Sequence, residues 1–197
     1  FGSTEYVDIP NTLSVPGTVF GTDYFGQDVL SRFLFGGRTI LILAVLATSI
    51  GITLGTTLGL TAAYLRGRAD ETIMRALDVV LSFPQVLLSL VVISMFGPSN
   101  VLIICTVGLS TTPRIARIIR GAAISVVERD FISAAEALGE SRRRVVFAEV
   151  LPNVTSSLLV EMNLRLTYSV GLIASLAFLG FTPEPNAANW GLMIQEN

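Results

Sequence analysis

From Thr39 to Leu65 the chain runs for 27 residues without one Asp, Glu, Lys or Arg, and this run decides the solvent in which it folds. As a helix it is about 40 Å long, enough to cross a ~30 Å hydrocarbon core with some tilt. The composition agrees, because 51% of the residues are hydrophobic and 14% are charged. That is too apolar and too charge-poor for an ordinary water-soluble domain. Gly51, Gly55 and Gly59 recur every four residues inside the run and so share one helix face. Small residues there let two backbones approach where lipid offers no apolar driving force, so a packed helix interface is expected.

A second uncharged stretch, Val79 to Pro113, is 35 residues long and is divided by the turn sequence Gly97-Pro98-Ser99-Asn100. Two spans forming a helical hairpin are expected from it. Pro84 and Pro113 should kink or interrupt these spans, and Asp78 should cap the second one or sit at its interface. A fourth span is expected over Val154 to Phe181, ending at Thr182-Pro183-Glu184-Pro185, with Glu161 and Arg165 in its first half. These two are spaced i to i+4, so they can pair on one helix face. A structural ion pair is one reading, and the other is that Arg165 lines a translocation path and attracts a carboxylate. Four spans in an all-α integral membrane fold are visible in this reading.

Charge placement orients the spans. All 13 basic residues are Arg; three fall in residues 66–75, seven in 114–149 and none in 97–100 or 182–197. Arginine-rich loops face the cytoplasm. Residues 1–37 then form an extracytoplasmic segment, and further chain is expected before Phe1 and after Asn197. Within that segment Asp28 can cap a short interfacial helix that places Val29, Leu30, Phe33 and Leu34 on one face. Trp190 suits a similar interfacial position. A net charge of −2 argues against a nucleic-acid binder. With no His and one Cys, Cys105, neither a His-based metal site nor an internal disulfide can form.

The segment from Asp130 to Pro152 reads as a helix, a glycine stop and a second helix. Asp130 can cap the first, and Gly139 suits the left-handed residue that ends it. Ala134, Ala135, Ala137 and Leu138 offer a small, smooth surface able to enter a partner's groove. Arg142, Arg143 and Arg144 would hold the flank at anionic headgroups. Pro152 should break the chain before the next span. From the residues alone, a solvated loop obeying the positive-inside rule is the simpler reading of the segment.

Ser133-Ala134-Ala135, three residues, Gly139, and then Val150-Leu151-Pro152 resembles the EAA signature by which membrane subunits of bacterial ABC importers engage their ATPases. Gly21-Thr22-Asp23 with Gly26-Gln27-Asp28-Val29-Leu30-Ser31-Arg32, Phe178-Leu179-Gly180 and Trp190-Gly191-Leu192-Met193 resemble the C-type subunit of the dipeptide/oligopeptide/nickel permease family. The resemblance implies a type I ABC importer transmembrane domain over residues 38–197, incomplete, with a coupling loop at about 120–152. It implies a multi-pass permease in the bacterial inner membrane, paired with a second permease subunit, two cytoplasmic ATP-binding subunits and an extracytoplasmic substrate-binding protein. No cofactor of its own is implied, since ATP is bound by the partner subunits, and the chain carries no Gly-rich phosphate loop.

Two positions depart from the pattern. The signature's Glu falls at Ser133, and Glu136, on roughly the same face, is the candidate to replace it. Glu149 stands where the signature has an apolar residue. The resemblance favours peptides as substrates; nickel chelates, glutathione, opines or sugars are alternatives, and an ATP-independent secondary transporter is a more distant one.

Overall fold

In the computed structural model, residues 2–13, 15–184 and 187–196 are described, so Pro185 and Asn197 lie outside the described residues. The chain is helical, in the order α1 (Val29–Leu65), α2 (Gly67–Leu81), α3 (Gln85–Phe96), α4 (Asn100–Val127), α5 (Asp130–Ala137), α6 (Arg142–Arg144), α7 (Leu151–Phe178) and α8 (Trp190–Glu196). A π-helical segment, Val145–Val150, joins α6 to α7. Among the described residues, three helical runs are long and apolar enough to cross a membrane: α1, α4 and the continuous run Arg142–Phe178. A fourth path consists of α2 and α3, bent by 76° where they meet.

The glycine face of α1 is the seam of the bundle. A Cβ at Gly51 would lie 2.3 Å from Thr111 Oγ1, at Gly55 2.6 Å from Ile115 Cβ, and at Gly59 2.5 Å from the Ala116 carbonyl oxygen. The pairing advances in step along both chains, so α1 and α4 run parallel at backbone contact. On the other side of α1, Thr48 donates to Ser169 of α7 at 3.2 Å. Two apolar cores flank the seam. One, at the arginine-rich end, contains Leu60, Ile115, Ile119, Ile132, Val145 and Val150. The other contains Ile40, Leu43, Ile93, Val107, Ile173 and Leu176.

Several expected boundaries move. Residues 29–37, expected as a separate interfacial helix, are the first turns of α1, with Asp28 capping it by accepting from the Ser31 N–H at 3.1 Å. The Gly36-Gly37 pair does not break this helix because it forms a notch for α8. A Cβ at Gly37 would sit 2.4 Å from the Trp190 ring, and one at Gly36 3.0 Å from the Asn189 nitrogen. Pro84 does mark a break, closing the Ser82–Pro84 link between α2 and α3. Pro113 does not: α4 continues through it to Val127. Its packing against α1 outweighs the roughly 3 kcal/mol that proline costs in a helix interior. Arg114, Arg117 and Arg120 therefore ride on the spanning helix, and the connecting loop is shorter than 120–152.

Pro152 does not break the chain either. It occupies the first turn of α7, where the preceding π-helical segment has already widened the hydrogen-bond ladder, with the Leu151 N–H reaching the Val146 carbonyl. At the far end Phe178-Leu179-Gly180 is a helix stop. Gly180 adopts φ +82°, and the Phe181 N–H returns to the Leu176 carbonyl at 2.9 Å.

Candidate functional site at the arginine-rich end

Helix α5 begins at Asp130, so Asp130 is its first residue rather than its cap. Arg129 holds the cap position without a side-chain bond, and the Asp130 carboxylate still opposes the positive end of the helix dipole. The helix stops at Gly139, which takes φ +83°. There the Gly139 N–H donates to the Glu136 carbonyl at 3.0 Å and the Glu140 N–H to the Ala135 carbonyl at 3.1 Å. This paired return needs a left-handed residue, which glycine adopts without a Cβ penalty.

One side of α5 is anchored and the other is bare. Ile132 is buried in the core beneath it, and Ala135 packs half-buried against the same core. Ser133, Ala134, Ala137 and Leu138 are exposed, Leu138 to 85%. Glu136 points back at the bundle, its Oε1 accepting from the Tyr64 hydroxyl at 2.6 Å. Tyr64 is in the last turn of α1, 72 residues away in sequence, and no spacing rule could have found that partner. On the flank Arg142, Arg143 and Arg144 are exposed, and Arg144 Nε lies 3.2 Å from Glu140. Leu151 is half-buried and Pro152 exposed.

Several of the arginines that fixed orientation also brace helices. Arg120 of α4 meets Asp70 of α2 in a two-pronged pair, Nε to Oδ1 at 2.5 Å and Nη2 to Oδ2 at 2.6 Å. One turn away, Arg117 pairs with Asp78. Asp78 is thus a partner in an inter-helix ion pair, beyond the capping or interfacial part expected of it.

Glu161 and Arg165 are both buried on the face of α7 turned into the bundle. Arg165 Nε lies 2.7 Å from Glu161 Oε1, an ion pair not aligned as a hydrogen bond. Arg165 Nη1 makes no hydrogen bond. Instead the guanidinium carbon sits 4.9 Å from the centre of the Tyr168 ring, whose negative face compensates part of the missing acceptor.

At the opposite end of α1, the segments Gly21–Asp28 and Trp190–Glu196, read separately in the sequence, form one structure. Arg32 is 1% exposed and pairs with Asp23 and, at 2.9 Å, with Glu196 of α8. Asp23 also accepts from the Phe25 and Gln27 N–H groups, both at 2.9 Å. Trp190 stacks on Phe33, with centroids 5.2 Å apart, and its Nε1 donates to the Phe33 carbonyl at 2.8 Å. In the sequence Arg32 stood out as the end of the Gly26-to-Arg32 motif, with nothing local to show its partner Glu196.

Long apolar helices locked by a glycine seam, with an anchored short helix held outside them, define an integral membrane component. The chain belongs to the family of binding-protein-dependent transport system inner membrane components, whose model matches residues 51–197. It is 35% identical, over its whole length, to the glutathione transport system permease protein GsiD of Pectobacterium atrosepticum, covering 66% of that protein. The same name and identity hold for a Shigella dysenteriae protein, of which 65% is covered. It is 33% identical, over 90% of its length, to the dipeptide transport system permease protein DppC of Alkalihalophilus pseudofirmus, covering 59% of that protein. The chain thus spans less than two thirds of the length of these relatives.

Proposed function

We propose that this chain is part of the membrane subunit of an ATP-driven, binding-protein-dependent importer of short peptides, and that α5 is the element a separate cytoplasmic ATPase grips. The bare face of α5 carries the proposal. An amphipathic helix with its polar side outward needs no partner, but here the outward side is Ser133, Ala134, Ala137 and a Leu138 that is 85% exposed. A large apolar side chain held out on a helix that is itself fixed underneath by Ile132 fits a groove on another protein. The arginine-rich flank fits the cytoplasmic membrane surface.

The partners follow from the same reading: a second permease subunit to complete the pathway, two ATP-binding subunits, and an extracytoplasmic protein that delivers substrate. Peptides are favoured because the relatives carry the names glutathione and dipeptide transport permease, and glutathione is itself a short peptide. Glu161 and Arg165 act as a structural pair inside the bundle, given their burial. Normal peptide uptake by Arg165→Ala in an assembled complex supports that assignment, and lost uptake moves Arg165 to the pathway.

The test is reconstitution of the full-length protein with the other permease and both ATPases in vesicles. ATP-dependent uptake of labelled dipeptide or glutathione, requiring the binding protein, is the expected result, and competition between the two substrates separates them. Leu138→Glu should abolish ATPase association while leaving the permease folded, as a hot-spot anchor does. Uptake that needs no ATP, or undiminished ATPase association in Leu138→Glu, overturns the reading.

A further inference from the structure

We infer that the Tyr64 to Glu136 hydrogen bond is the joint through which α5 moves α1, so that Glu136 acts inward on the permease rather than outward on the ATPase. The inference rests on the function proposed above and assigns a positioning role to Tyr64, which no part of that reading uses.

Three observations carry it. First, α1 is one unbroken helix of 37 residues, about 55 Å long, and it reaches both ends of the molecule. Its outer end is tied by the Asp28 cap, by Arg32 to Asp23 and Glu196, and by Trp190 on Phe33. Its inner end reaches α5 through Tyr64. Second, the glycine seam holds the stretch Gly51 to Gly59 of α1 at backbone contact with α4, where a Cβ at Gly55 would already be 2.6 Å from Ile115. A displacement applied at Tyr64, one turn beyond the seam, is therefore passed to both helices together. Third, the apolar core beneath α5, which holds Ile132 together with Leu60 and Ala63 and against which Ala135 packs, lacks direction, whereas a 2.6 Å bond from a phenol to a carboxylate fixes both distance and angle. It is the directional link recorded between α5 and α1 among the described residues.

The consequence for Glu136 is specific. Its oxygen facing Tyr64 is engaged as an acceptor, which an amide can supply as well as a carboxylate. A carboxylate meeting a basic groove on the ATPase could not be replaced so.

The experiment uses the full-length permease in the assembled importer and reads ATP hydrolysed per substrate molecule transported. Tyr64→Phe removes only the hydroxyl, and the ratio should rise about tenfold, the effect of losing one hydrogen bond to a charged group. Glu136→Ala should do the same, Glu136→Gln, which keeps an acceptor oxygen without its charge, should raise the ratio by less than either, and Tyr64→Phe combined with Glu136→Ala should be no worse than either alone. A wild-type ratio in Tyr64→Phe overturns the inference. So does a raised ratio in Glu136→Gln with Tyr64→Phe normal, which places the carboxylate on the ATPase. Should Tyr64→Phe assemble poorly, the ratio is read from Glu136→Ala at its exposed position, and no change there overturns it equally. Absence of ATP-driven uptake by the unaltered complex instead defeats the proposed function.

Discussion

The two ends of α1 handle charge in opposite ways. At the outer end Arg32 and Asp23 are 1% and 2% exposed, and Glu196 closes the cluster at 15%. At the inner end the ion pairs are more open: Arg117 with Asp78 at 57% and 54%, Arg66 with Glu128 at 55% and 61%, and the most covered of these three, Arg120 with Asp70, at 30% and 19%. Exposed pairs contribute about 0–1 kcal/mol each, whereas breaking a buried pair leaves an uncompensated charge that costs about 3–5 kcal/mol. The outer end is therefore built to stay as it is. The inner end is held by its apolar core, Leu60, Ile115 and Ile132 among it, and not by buried charge, and it is there that the short helix with the bare face stands.

That contrast can be broken most decisively at Arg32. Arg32→Ala should lower the stability of the purified protein by about 3–5 kcal/mol, read as a fall in its unfolding midpoint in detergent. Arg32→Met combined with Asp23→Asn and Glu196→Gln should recover much of the loss, because no charge is then left buried alone and an amide oxygen at position 23 can still accept from the Phe25 and Gln27 N–H groups. A fall below about 1 kcal/mol in the single variant would mean that water reaches the cluster, and the two ends would no longer differ in kind.

A smaller effect is expected midway, where the seam makes α1 rigid enough to join the two ends. Gly55→Leu must push Ile115 aside, since even a Cβ would approach it to 2.6 Å. Overpacking of this kind costs about 1–3 kcal/mol. The same measurement on Gly121→Leu, which has open space around its Cβ position, should show less than half of that.

How much of this was legible in the sequence depended on the range of the interaction. Uncharged runs gave α1 and the apolar parts of α3 and α4, Gly97 to Asn100 gave the turn between those two, and the four-residue glycine repeat gave the seam, because each is a local pattern with one physical cause. The run from Val79, expected as one span, is divided at Ser82–Pro84 into the end of α2 and the 12-residue α3. The end of α5 at Gly139 was legible for the same reason. Helix α2 was not: counting charges reads Arg66, Arg68 and Arg75 as a loop, although Gly67–Leu81 is helical with none of its residues buried. The outer cluster joins residues 164 apart, Arg32 and Glu196, and only the return of α8 onto the Gly36-Gly37 notch brings them together. The continuation of α4 through Pro113 and of the chain through Pro152 depended on tertiary packing and a π-helical turn, neither of which has a local signal strong enough to override proline.

The finest test separates two ion pairs that join the same helices. Arg120 meets Asp70 with two aligned bonds at side-chain exposures of 30% and 19%, while Arg117 meets Asp78 with both side chains more than half exposed. Two-pronged geometry and partial burial raise the value of a pair, and exposure and salt lower it. Arg120→Ala should therefore cost about 1–2 kcal/mol and Arg117→Ala about 0.5 kcal/mol or less, with the Arg117 loss vanishing in concentrated salt. The measurement is the unfolding midpoint of each variant at low and high ionic strength. Equal losses would mean that geometry contributes nothing at this end, and the inner brace would then be a matter of net charge alone. A larger loss for Arg120, insensitive to salt, would place the stiff part of the inner end at α2 and α4.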